Sequence, residues 1–141
     1  MIKNMVRVHV ILDNYAWEIF CFFSATHYDT DEIMEHLWEI GCDGSYAYKA
    51  YQNLSANKLN SGLTYSSPVR RKSVIVTAQT ESPDEFFNSL VHEICHCAIH
   101  IANVLYIDKN SEEFAYLMGD LNMTIFPHIK HLLCDCCRGN T

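Results

Sequence analysis

Apolar and polar residues alternate from Val6 to Leu12, with Val6, Val8, Val10 and Leu12 on one side and Arg7 and His9 on the other. A period of two predicts a strand with one buried face. The aromatic-rich run from Trp17 to Ser24 follows Asp13-Asn14, which predicts a second strand folding back on the first as a hairpin. The spacing then lengthens. Ile33, Met34, Leu37, Trp38 and Ile40 recur at helical intervals, with Asp29 or Thr30 as cap and Gly41 as stop. Tyr46 to Leu54 predicts another short helix. The Ser-, Asn- and Gly-rich stretch Ser55 to Ser67 predicts a loop leading through Leu63, Thr64 and Tyr65 into a short strand, and Val74, Ile75 and Val76 mark a later strand.

The strongest helix start is Ser82-Pro83-Asp84-Glu85, with serine at the N-cap, proline at the first helical position and glutamate placed to complete a capping box. That helix should run to about Tyr106. Asp108 to Ser111 breaks it, a further helix spans roughly Glu112 to Ile125, and Pro127 begins a final short one. Strands followed by helices predict an α+β fold in a single domain over residues 1–141. Residues 1–80 hold the sheet and two helices, residues 82–126 the helices that carry the chemistry, and residues 127–141 a Cys/His-rich end.

Charge narrows the partners. Ten Lys and Arg stand against seventeen Asp and Glu, a net charge of −7 that repels nucleic acid. The one basic cluster, Arg70-Arg71-Lys72, reads as a solvated strand edge or a phosphate grip. No run approaches the roughly 18 apolar residues of a membrane span, and the start of the chain lacks the apolar core and small-residue cleavage site of an export signal. Seven cysteines at uneven spacing suit a reducing compartment, so a cytoplasmic location is expected.

The candidate chemistry lies on the capped helix. His92-Glu93-Ile94-Cys95-His96 is an H-E-x-x-H pattern, whose spacing brings both imidazoles to one helix face within reach of one Zn²⁺. Glu93, one step around the helix, is placed to take a proton from a metal-activated water and return it to the leaving amine. Leu90, Val91, Ile94, Ala98, Ile101, Ala102 and Leu105 form an apolar stripe that turns the histidines away from the core. His100 continues the histidine row with a drift of about 40° per step, as a partner behind the ligands, an alternative ligand or a structural residue. Cys95 and Cys97 read as packing residues. The segment Lys72 to Ala78, just before this helix, is the expected edge strand for a peptide, and Tyr116 or Tyr65 could help at the oxyanion.

The pairing of H-E-x-x-H with a glutamate at the start of the next helix resembles the gluzincin metallopeptidases. The run Glu112-x-x-Ala115-Tyr116-Leu117 is similar to the second-helix motif of small phage and bacterial zincin-like peptidases. The resemblance covers residues 82–126 and implies a zincin-like domain, its small mixed sheet packed on the H-E-x-x-H helix and the glutamate helix. It also implies Zn²⁺ held by His92, His96 and Glu112, with Glu113 as the alternative third ligand and Ala115 as the small residue that lets the two helices pack closely. A narrower similarity is to the ImmA/IrrE group, through His96 and His100 in H-E-x-x-H-x-x-x-H; the Asn-Arg-Phe-Ala run after the glutamate is absent here.

The implied activity is zinc-dependent hydrolysis of a peptide bond in a peptide or protein substrate, with Glu93 as general base. The alternative is a non-catalytic zinc-containing binding or inhibitor module of phage or mobile-element origin. At the C-terminal end, His128, His131, Cys134, Cys136 and Cys137 gather five donors suited to a second, structural Zn²⁺, or to free thiols.

Overall fold

β1 (Val6–Leu12) and β2 (Trp17–Ala25) form the expected antiparallel hairpin, in register from Val6 opposite Phe23 to Leu12 opposite Trp17. The computed structural model describes residues 4–134. Between the strands a 3-10 turn, Asp13–Tyr15, ends on Ala16 in the left-handed region at φ 50°. Arg71 holds that turn, its guanidinium donating to the carbonyls of Tyr15 and Ala16 and lying over the Trp17 ring.

After β2 come α1 (Thr30–Glu39) and α2 (Gly44–Ser55), then β3 (Gly62–Ser67), β4 (Lys72–Ala78), α3 (Pro83–Leu105) and α4 (Glu112–Ile129). The sheet order is β1-β2-β4-β3, with β4 parallel to β2 and antiparallel to β3. The fold is α+β, as the pattern predicts. Among the described residues no helix is long and apolar enough to cross a membrane.

Two cores flank the sheet. On one face Val8, Val10, Leu12, Trp17, Ile19, Cys21, Phe23 and Ile75 pack against Phe86, Leu90, Ile94, Ala98 and Ile101 of α3 and Leu117, Leu121, Ile125 and Ile129 of α4. On the other, Phe22, Val74 and Val76 meet Ile33, Met34 and Leu37 of α1 and Ala47, Ala50 and Leu54 of α2. Thus β4 is buried on both faces and reads as a continuous apolar run, whereas β1 is covered on one face and alternates.

Four expectations change. Lys72 to Ala78 is not an edge strand, because β4 is paired on both sides; the edge beside α3 is β3. Pro127 does not begin a new helix. α4 continues through it to Ile129, since Ile125 and Ile129 are both buried and anchor the last turn, while Met123, whose carbonyl loses its N–H partner, is exposed to water. Glu85 reaches the N–H of Glu81 at 3.1 Å, so only the Ser82 half of the capping box forms, through Glu85 N–H at 3.2 Å. The basic triplet is absorbed structurally: Arg70 donates to the Ile40 carbonyl at the end of α1, Arg71 holds the hairpin turn, and Lys72 pairs with Glu18.

The entry to β3 requires glycine. A Cβ at Gly62 would stand 1.9 Å from the Val76 carbonyl oxygen and 3.1 Å from Glu93 Cγ, whereas one at Gly119, exposed within α4, would meet nothing within 4 Å. Gly62→Ala should therefore cost about 2–3 kcal/mol of stability, and Gly119→Ala should add about 0.5–1 kcal/mol by its helix propensity. Urea unfolding followed by circular dichroism measures both, and shifts of the same sign would contradict this packing.

Candidate functional site

The histidine face of α3 follows from its wheel. Ile94, Cys97, Ala98, Ile101 and Ala102 are fully buried against the sheet and α4, which turns His92 and His96 outward and leaves Glu93 between the two environments. His92 Nε2 and His96 Nε2 are 3.2 Å apart. Two nitrogens bound to one tetrahedral Zn²⁺ at 2.0–2.1 Å stand about 3.3 Å apart, so the pair fits one edge of such a site.

Glu93 is 2% exposed, and its carboxylate has partners on both oxygens. Ser61 Oγ donates to Oε2 at 2.7 Å and Thr64 Oγ1 to Oε1 at 2.8 Å. A buried carboxylate without donors is strongly disfavoured, and two hydroxyls supply what burial removes. Oε2 lies 4.0 Å from His92 Nε2. These groups line a cleft of about 490 Å³ that also takes in Tyr46, Asn53, Asn60, Leu63 and His100.

His100 stands one turn beyond His96, the ring centroids 6.4 Å apart. Its Nδ1 shares a hydrogen bond with Ser66 Oγ at 2.8 Å; Ser66 meets Ser73 at 2.7 Å, and the buried Trp17 indole donates to Ser73 at 2.8 Å. This chain through the sheet gives His100 a structural anchor. Cys97 is buried beneath the row, its thiol pushed up to about 12 by burial, and Cys21 beside it is raised for the same reason. Both stay protonated and unreactive.

Glu112 does not join the pair. It is exposed at the first turn of α4, and among the described residues no group of three His, Cys, Asp or Glu is close enough to hold a metal. Leu117, Leu121, Ile125 and Ile129, four residues apart, claim the core-facing side of α4, so Glu112, Ala115 and Tyr116 face solvent. Ala115 is therefore not the close-packing residue between the helices. Glu113 is exposed beside Glu112. The Tyr15 hydroxyl, which donates to Asp120 at 3.4 Å, has its pKa raised by burial first and then by Asp120. Compared with protein families, curated proteins and solved structures, this chain matches none.

Neither tyrosine named from the sequence lies in the cleft. Tyr65 donates to the Gly41 carbonyl at 3.3 Å and Tyr116 is exposed on α4, whereas Tyr46 of α2 enters the cleft and donates to the Thr64 carbonyl at 3.2 Å. Ser61, Thr64 and Tyr46 are the cleft residues that the sequence reading missed. The signal was present in β3, where Thr64 and Ser66 alternate with Leu63 and Tyr65, a polar face turned to a helix that carries Glu and His. His128 and His131 are exposed at the end of α4 and in the turn after it, and Cys136 and Cys137 lie outside the described residues.

Burial, then the charge of His96, lowers the His100 pKa. The folded metal-free chain thus binds fewer protons than the unfolded one just below the ordinary histidine value of about 6.5, and stability should fall as pH drops through it. Urea midpoints at pH 7.5 and 5.5 should differ less in His100→Asn than in wild type. Equal differences would show that His100 is not the group responsible.

Proposed function

We propose that this chain is a zinc-dependent peptidase with His92 and His96 as metal ligands and Glu93 as general base. The observation that carries the reading is the 3.2 Å separation of the two imidazole nitrogens, an edge of tetrahedral zinc, beside a buried carboxylate in an open cleft. Bound zinc supplies Lewis acidity toward a peptide carbonyl and toward water. Glu93 takes the proton of the attacking water as the new C–O bond forms, and delivers it to the amine as the C–N bond breaks. Ser61 and Thr64 keep the carboxylate at a fixed orientation through that exchange.

The substrate class is an extended peptide. β3 is the sheet edge beside the cleft, and a strand added there would run alongside the cleft that holds His92 and His96. Zincin-like kinship and Glu112 as third ligand come from the motif alone; Glu112 itself stands exposed at the first turn of α4. A cytoplasmic setting accords with Cys21, Cys42, Cys95 and Cys97 standing as thiols.

Mass spectrometry of protein purified without a metal-affinity tag should find about one zinc per chain, lost in His92→Ala and in His96→Ala; loss in Glu112→Ala but not in Glu113→Ala would name Glu112 as a third ligand. Glu93→Gln should keep zinc and lose roughly 10²–10⁴-fold in turnover of a quenched-fluorescence peptide pool. Absence of zinc from wild type, even after loading, overturns the proposal. Zinc retained without turnover of any peptide in the pool would favour the binding-module alternative instead.

A further inference from the structure

The carboxylate of Glu93 stands close to becoming a ligand itself. An oxygen and an imidazole nitrogen sharing one zinc are about 3.3 Å apart, and Glu93 Oε2 is 4.0 Å from His92 Nε2. Toward His92 the gap exceeds the shared-ligand distance by less than an ångström. A carboxylate that bound the ion would fill a coordination position and lose its freedom to move a proton. Something must hold it back.

We propose that Ser61 and Thr64 are positioning residues that restrain Glu93 from the ligand sphere of the His92–His96 pair and so keep that site open. Each hydroxyl takes one carboxylate oxygen, at 2.7 and 2.8 Å, so a rotation of the carboxylate toward His92 works against two bonds at once. The restraint is rigid because of where the hydroxyls sit. Thr64 is in the middle of β3, paired with Ile75 of β4, and Ser61 precedes Gly62, the first residue of that strand, paired with Thr77 of β4. The Thr64 hydroxyl also lies 3.2 Å from the Glu93 backbone carbonyl, so strand and helix are tied at the same residue. The role differs from that of a mere buried partner, because it is exerted against the metal.

This inference rests on the reading of the histidine pair as metal-binding, and its test separates the two. Zinc affinity, measured by competition with a chromophoric chelator, and the visible absorption of the cobalt-loaded protein are compared for wild type, Thr64→Ser, Thr64→Val and Ser61→Ala/Thr64→Val. Each is measured with and without Glu93→Gln. Release of Glu93, which adds a carboxylate ligand, should tighten zinc binding in the double variant and alter the cobalt spectrum. Glu93→Gln should cancel both effects, and Thr64→Ser should match wild type. Thr64→Val, which removes one hydroxyl, should show a smaller gain of the same kind, and serves alone if the double variant fails to fold by circular dichroism. Unchanged or weakened zinc binding in the hydroxyl variants, or a gain that persists with Glu93→Gln, overturns the restraint while leaving the metal reading intact. A wild type that takes up neither zinc nor cobalt overturns both.

Discussion

A carboxylate buried at the helix–sheet interface is the constraint around which the rest of this structure is arranged. Glu93 is 2% exposed, beside Leu90, Ile94 and Cys97 of the apolar core. A charge in that position needs donors fixed in advance, and they come from another part of the chain, Ser61 and Thr64. Bringing them there requires β3 to lie at the sheet edge beside α3, which in turn requires glycine at its first residue, where the strand meets the Val76 carbonyl. The cleft is the space left beside that contact, and His92 and His96 open into it.

The elements themselves were legible in the sequence because each has a local cause. Alternation in β1, the double-faced apolar run of β4, Ser82 and Pro83 before α3 and Gly41 after α1 act within a few residues of where they stand. The site was legible only as far as it is local. His92, Glu93 and His96 share one helix, so their relation follows from its pitch, and the paired nitrogens agree with it. The partners of Glu93 lie about thirty residues away, and no spacing rule connects them to the motif.

Glu112 shows the opposite failure of a local rule. A glutamate at the start of the next helix has the order expected of a third ligand, but order does not fix rotation about the helix axis. Leu117, Leu121, Ile125 and Ile129 fix it, and they turn Glu112 to solvent. Similarly, Arg70, Arg71 and Lys72 look like a charge patch when read along the chain, yet in space each serves a different contact: a helix end, a hairpin turn and an ion pair.

The parallel pairing of β2 with β4 has a consequence for the order of assembly. Glu18 lies opposite Lys72 and Phe22 opposite Val76, partners about fifty residues apart. Closing so long a loop costs entropy before any contact repays it, and long-range strand pairing of this kind slows folding. The motif helix is local and needs no such closure, whereas β3 is held in the sheet only through β4. A nascent chain that has formed α3 but not the parallel pair therefore has two histidines and a glutamate on a helix, with no cleft and no hydroxyls beside them. Any activity that depends on the cleft waits for that long-range closure, which ties the appearance of function to formation of the sheet.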